Sequence, residues 1–474
     1  MATAHPTGYL EAEHTPIEGE LDATDLRVHG ELPRELRGLY VRNSPNPQFA
    51  PIGKYHWFDG DGMVHGIRFE DGRASYMNRW VRTRGFEAER EAGKALWTGI
   101  LEPLRPEAMS LPGGPVKDTA NTDLVFHRGR LMALWWLSGT PYELSTRDLS
   151  TIGPERFDGK LTGGFAAHPK VDPRTNQLVF FDHSMVRRPY LRYGVVSPDG
   201  ELVRYEAIPT DSPHILHDMA ITENYSILLD FPMGWDPERL KAGKRKIAFD
   251  RGGRSRFGVL PRLGGAADVR WFEAEPCYMY HTINAYEVGR EIVLVGCRVR
   301  DPIPERQDTS GGVARLDTIE LVPHLYEWRF DLDTGETRER ALDDLATEFP
   351  RINDTVQGTR ARFTYNPRIA RDSALKFDGL VKYDLAGGAF APARVVWEAP
   401  PGMFVGEAAF APRAGGAGRG ASEDDGWLVT FGSSARDDRS VCFVLDARDM
   451  REVARVDLPR RIPLGFHSMF CPGA

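Results

Sequence analysis

The chain of 474 residues is 41% hydrophobic and 27% charged, and 60 basic against 68 acidic side chains leave a net charge of -8. These values fit a soluble globular protein and exclude wholesale disorder or a collagen-like repeat. With no basic surplus and no block of like charge, no nucleic-acid partner is expected. The longest apolar run, Leu131 to Leu137, falls far short of the roughly 20 residues that span a bilayer. The opening Met1-Ala-Thr-Ala-His-Pro lacks a basic stretch followed by an apolar one, so a cytoplasmic protein is expected. Cys277, Cys297, Cys442 and Cys471 form no CxxC pair, which argues against a thiolate zinc site and a disulfide framework.

Residues 1–30 are polar and read as an N-terminal extension of a single domain spanning 1–474. Gly and Pro then punctuate short segments rich in Val, Ile, Phe, Tyr and Trp, each about a strand long. Gly62 to Phe69 and Ala74 to Arg82 flank Asp71-Gly72, a hairpin signal. Phe86 to Leu96 reads as a helix with Glu and Lys on its polar face, and Trp97 to Pro112 follows as a loop that is unusually apolar. Further strands are predicted at Gln177 to Asp182, Tyr225 to Asp230, Glu291 to Arg298, Trp427 to Phe431 and Val441 to Asp446, with turns at Asp199-Gly200 and Asp333-Thr334-Gly335. A short helical segment is read at Asp236 to Lys241. The Gly-rich stretch 411–426 is expected to be a flexible surface loop, because it has few side chains able to pack.

No GxGxxG follows a strand and no βαβ alternation is present, so a doubly wound nucleotide-binding fold is disfavoured. Many short antiparallel strands over this length predict an all-β chain built as a β-propeller, whose radial blades leave only short edges.

Four of the 13 histidines sit among apolar or small residues: His168 in Gly164-Phe-Ala-Ala-His-Pro, His217 in His214-Ile-Leu-His-Asp-Met, His281 in Tyr278-Met-Tyr-His-Thr, and His467 in Leu464-Gly-Phe-His-Ser. A buried imidazole must be hydrogen-bonded or bound to metal, and each one taken alone is most simply a hydrogen-bonded core histidine. Their separations of 49, 64 and 186 residues match neither a zinc finger nor an HExxH helix. In a propeller of seven blades, each about 60 to 70 residues long, those gaps are about one, one and three blades. Histidines on different inner strands would then converge on the axis.

Gly38-Leu-Tyr-Val-Arg-Asn-Ser-Pro-Asn-Pro, followed by Tyr55-His-Trp-Phe-Asp-Gly-Asp-Gly-Met-Val-His, resembles the opening signature of the carotenoid cleavage oxygenases, a family of non-haem iron enzymes. The four histidine segments resemble that family's iron-ligand segments in order and context, and the likeness runs from about Leu32 to Phe470. The resemblance implies a seven-bladed β-propeller with a few short helices and loops capping the face over an axial metal. It implies one Fe(2+) held by His168, His217, His281 and His467, with His183 and His214 as neighbours outside the set. It also implies that Glu348 and Glu407 accept hydrogen bonds from ligand imidazoles, fixing their tautomers. The family's third such glutamate is missing: in Ala133-Leu-Trp-Trp136, Trp136 falls at its position, and Glu143, seven residues on, is assigned to the following turn. Thr122 matches a threonine that stands close to an open iron position in several members.

The reaction implied is addition of dioxygen to an activated carbon-carbon double bond, which splits into two carbonyl products. Members that cleave phenolic stilbenes grip the phenol with a Lys-Glu pair and an upstream Tyr, whereas this chain has Trp135-Trp136 and no Tyr in Ala95-Leu-Trp-Thr-Gly-Ile. Trp135 and Trp136 are therefore assigned to an apolar substrate pocket, and a lipophilic polyene, a carotenoid or apocarotenoid, is the expected substrate. A stilbene or phenylpropanoid alkene is the alternative, and a non-catalytic binding scaffold is a third. The segment 97–112 reads either as a tunnel mouth in peripheral contact with a membrane or as a cover over the propeller's top face.

Overall fold

The computed structural model describes residues 8–236, 238, 247–308, 310–386, 391–413 and 422–474. The described chain is mostly β, and its strands form antiparallel meanders. The order Asp123–His127, Arg130–Leu134, Tyr142–Leu144, Thr151–Pro154 makes one four-stranded sheet. Three more four-stranded sheets follow, opened by Lys170–Val171, Met219–Ile221 and Tyr278–Val288. A nine-stranded sheet then runs from Phe363–Ile369 through Phe404–Val405 to Gly426–Ser434 and beyond.

Segments near both ends of the described chain are paired into sheets. Ser468–Pro472 pairs antiparallel with Gly38–Pro45, extending the sheet that holds Gly62–Glu70 and Arg73–Trp80. Val28–Gly30 pairs with Glu452–Asp457, and Leu21–Ala23 pairs with Arg73–Trp80. Within the segment read as an N-terminal extension, residues 21–23 and 28–30 thus complete two outer sheet edges with their backbone groups. Tyr9 is buried as well: its hydroxyl donates to the Arg315 carbonyl and accepts from Leu375 N.

Local chemistry explains the elements. Gly62–Glu70 and Arg73–Trp80 meet at Asp71 and Gly72, with φ of 50° and 76°. Two consecutive positive φ values suit a two-residue hairpin. The helix Arg84–Ala92 starts where Thr83 Oγ1 accepts from Phe86 N at 3.1 Å and stops at Gly93, whose φ is 67°. It ends before the predicted Leu96 because that left-handed glycine turns the chain. The predicted segment at Asp236 to Lys241 lies almost entirely outside the described residues.

Part of the predicted loop 411–426, residues 414–421, also lies outside them. Its ends are ordered: Ala409–Pro412 pairs with Gly426–Ser434, and Lys382 Nζ reaches the buried Asp424 at 2.6 Å. Glu423 accepts from the backbone of Arg362 and Phe363. The composition argument overlooked these acids, which pack by charge and not by apolar contact.

Edge strands of different sheets lie side by side: Ser468–Pro472 neighbours both Asp123–His127 and Ala409–Pro412, and Met219–Ile221 neighbours both Lys170–Val171 and Tyr278–Val288. These edges face one shared interior. All four cysteines are buried and unpaired, as their spacing suggested.

Candidate metal centre

Each histidine of the candidate set lies on or just before a strand at the edge of a sheet. His168, His217 and His467 immediately precede or adjoin Lys170–Val171, Met219–Ile221 and Ser468–Pro472, and His281 lies within Tyr278–Val288. That strand shifts register between Met279 and Thr282, a bulge that re-aims His281. His168 adopts a φ of 65° just before Pro169, a left-handed conformation that is uncommon for a residue with a side chain.

Carboxylates fasten the neighbouring sheets here. Asp218 Oδ2 accepts from Thr282 N at 2.7 Å, linking the residues beside His217 and His281, and Asp123 Oδ2 accepts from His168 N at 2.9 Å.

One candidate nitrogen from each of His168, His217, His281 and His467 lies within 4.8 Å of the others. All four side chains are buried. Among the described residues this is the one such group of potential metal ligands. His183 and His214 stand outside it: His183 Nδ1 bonds Ser138 Oγ at 3.0 Å, and His214 Nδ1 bonds Asp230 at 2.6 Å.

The support behind the four rings is unequal. His281 Nδ1 donates to Glu348 Oε2 at 2.5 Å, and His467 Nδ1 donates to Glu407 Oε1 at 3.0 Å. Glu407 is itself held by Ser468 N. His217 Nδ1 is buried and has no hydrogen-bond partner, and Trp136 lies beside it with ring centroids 6.3 Å apart. His168 Nδ1 lies 3.5 Å from Asp123 Oδ2. Glu143, on Tyr142–Leu144, instead pairs with Arg130.

Burial holds His168, His217 and His467 well below the usual histidine pKa, and positive neighbours push in the same direction. These three imidazoles are therefore neutral and have lone pairs to donate. Burial opposes charge on His281 too, but the bonded Glu348 outweighs it and raises its pKa. Burial also raises Glu407 and Asp123.

Two inner ring nitrogens, His168 Nε2 and His281 Nε2, are buried without a partner. Orphaned donor nitrogens on converging rings, two of them backed by carboxylates, fit a divalent metal of intermediate softness.

The sides of this cluster differ. On the side of His217, His281 and His467 lies a cavity of about 20 Å³ walled by Trp57, Phe58, Leu321, Phe349 and Phe466, with Thr122 at its edge. That is room for about one small molecule. Thr122 Oγ1 donates to Asn121 Oδ1 at 2.9 Å and accepts from Trp136 N at 3.2 Å.

A second apolar cavity of about 50 Å³ shares Phe58, Tyr280 and Leu316 with the first and adds Leu101, Trp136 and Met233. Trp135, predicted beside Trp136, lines a separate cavity with Tyr55 and Trp97. Trp135 bridges to Ala166 while Trp136 begins the turn that follows, so the two indoles part.

Residues missed from sequence alone are Asp123, Tyr278, Tyr280 and Phe349, whose ring stacks on His467 at 4.5 Å. Asp123 directly follows Thr122 and was there to be read. Tyr278 and Tyr280 looked like ordinary strand aromatics.

The sequence model of the retinal pigment epithelial membrane protein family matches residues 14–472. Carotenoid 9,10(9',10')-cleavage dioxygenase 1 of Pisum sativum is 37% identical, over 98% of this chain and 90% of the relative. The chain belongs to the carotenoid cleavage oxygenase family. Its fold matches the lignostilbene dioxygenase of Pseudomonas brassicacearum with a TM-score of 0.86 at 28% identity, over 100% of both chains. It also matches the cobalt-substituted apocarotenoid oxygenase of Synechocystis with a TM-score of 0.82 at 26% identity, over 96% of this chain and 97% of that one. The chain is thus an oxygenase-type enzyme and not a bare scaffold, and its four buried histidines form a possible metal site.

Proposed function

We propose that this protein is an Fe(2+)-dependent dioxygenase that splits a carbon-carbon double bond of an apocarotenoid or carotenoid into two carbonyl products. The observation that carries the reading is the apolar cavity bordered by His217, His281 and His467, which shares Phe58, Tyr280 and Leu316 with a second apolar cavity. In this account the sheets form a single seven-bladed propeller domain, with the nine-stranded sheet serving as two blades joined through Phe404–Val405. His168, His217, His281 and His467 hold one ferrous ion, which supplies dioxygen activation when bound.

The chain's own residues do the rest. Trp57, Phe58, Phe349 and Phe466 exclude water and align the alkene beside the histidines. Glu348 and Glu407 fix the tautomers of His281 and His467 so that Nε2 faces inward. Thr122 borders the open side, its hydroxyl already committed to Asn121, so it shapes the space and donates nothing to the substrate.

Substrate polarity is set by one group. The Tyr278 hydroxyl is buried without a partner, and Tyr278 lines the second apolar cavity. A buried unpaired hydroxyl costs about 1 to 3 kcal/mol, which a substrate aldehyde or hydroxyl would recover. An apocarotenoid has such a terminal oxygen and a hydrocarbon carotene does not. The same hydroxyl favours a second reading, a 4-hydroxystilbene like the substrate class of the lignostilbene relative.

Ile100 and Leu101 of segment 97–112 face the chamber while Leu104 and Met109 are exposed, which suits a mouth resting on a membrane surface. No described helix is long and apolar enough to cross one. The cytoplasmic placement, with peripheral membrane contact, belongs to the same reading.

Product analysis with β-carotene, an apocarotenal and a resveratrol-like stilbene under matched detergent tests this. Fastest cleavage of the apocarotenal is expected. Efficient stilbene cleavage with no aldehyde from any polyene overturns the substrate assignment.

A further inference from the structure

The cluster separates the dry cavity from a second space of opposite character. A chamber of about 290 Å³ leads from His168, His281 and His467 to exposed Asp354, Thr355 and Pro472. Its wall carries the carboxylates Asp123, Asp218, Asp354 and Glu407 against the cations Lys170 and Arg351. Lys170 Nζ lies 2.7 Å from Asp218, and Arg351 reaches Asp354 at 3.1 Å. Both cations are thus engaged, and carboxylates outnumber them.

We propose that this chamber is the loading route by which a hydrated divalent cation reaches the four histidines, with Asp354 as the outermost guiding charge. The proposal rests on the reading that the histidines hold a metal. Two observations carry it.

The first is size and polarity. The apolar cavity on the other side holds about 20 Å³ between Leu321, Phe349 and Phe466, room for about one water. A dication entering there would shed its hydration shell against hydrocarbon, and removing even a single charge from water into apolar surroundings is prohibitive. The polar chamber has volume for an ion with several waters, and its carboxylates can replace those waters one at a time.

The second is where the chamber ends. His168 Nε2 and His281 Nε2, buried and without a hydrogen-bond partner, belong to residues at its inner end, so the path from solvent finishes on ring nitrogens suited to ligate a metal. A surplus of carboxylates over cations along a cleft concentrates cations, and electrostatic steering of this kind accelerates association by about 10- to 1,000-fold. Removing Asp354 also frees Arg351 at the mouth, turning attraction into repulsion.

Metal-free protein mixed with Co(2+), followed by the visible absorption of the bound ion, tests the route. Asp354→Lys should slow uptake about tenfold or more at low ionic strength, with the same final occupancy. The difference should shrink in 1 M salt, where the Debye length is about 3 Å. Leu321→Phe and Leu316→Phe, which fill the apolar side, should leave the uptake rate unchanged.

Equal uptake by Asp354→Lys and the unaltered protein overturns the route, as does slowing by the apolar-side variants alone. Failure of the unaltered protein to bind Co(2+) stoichiometrically removes the metal reading itself, and the route with it.

Discussion

Two of the four converging histidines are backed by carboxylates and two are not. Glu348 and Glu407 accept from His281 and His467, whereas His217 Nδ1 has no partner and His168 faces Asp123 across 3.5 Å. The contrast teaches that burial alone keeps an imidazole neutral, but only a carboxylate also fixes its tautomer and strengthens its donation. His217 is the weak corner of the cluster, and the Trp136 indole is one of the rings around it, 6.3 Å away between centroids.

The largest effect comes from removing a ring. His168→Ala, His217→Ala, His281→Ala and His467→Ala should each lower activity more than about 100-fold and deplete bound iron, measured by elemental analysis and turnover. His214→Ala should be milder, because its ring bonds Asp230 and lies outside the cluster. Normal iron in any one of the four variants removes that residue from the site.

Next, Glu348→Gln and Glu407→Gln should each weaken metal retention about 10- to 100-fold against a chelator. If either change has no effect, the backed pair is no different from the unbacked one.

Trp136→Glu probes the comparison from the other side. A carboxylate beside His217 should slow metal loss by up to about tenfold, while the metal-free form loses thermal stability because it buries an unpaired charge. Unchanged retention and unchanged melting together would show that Trp136 does not stand behind His217.

The smallest effect concerns histidines outside the cluster. Burial depresses His14 to about 3 and His183 to about 4. The unfolded chain therefore binds more protons than the folded one below about pH 6.5, and stability falls as pH drops through that window. Each group contributes up to about 1.4 kcal/mol per pH unit until its folded pKa is reached. Melting temperature should fall from pH 7 to pH 5, and His183→Gln should flatten the slope.

Much of this was legible in the sequence, and the rest was not for physical reasons. Strands such as Tyr225–Asp230 and the hairpin at Asp71-Gly72 announce themselves through short apolar runs and turn chemistry. The four histidines stood out because each is an imidazole in an apolar run. Pairing of residues 21–23 and 28–30 with strands far along the chain has no local signature, so these sheet edges could not be read from the segment itself. The parting of Trp135 from Trp136, and the orphaned Tyr278 hydroxyl, depend on which face each side chain takes. That choice is made by the assembled sheets and not by any short window of residues.

The central claim, one ferrous ion on four imidazoles, is tested most directly by anaerobic purification followed by iron quantification and the paramagnetic resonance of the nitric oxide adduct. The account predicts one iron per chain and a high-spin ferrous-nitrosyl signal that disappears in His281→Ala. Absence of stoichiometric iron from active protein, or persistence of the signal without His281, would contradict it.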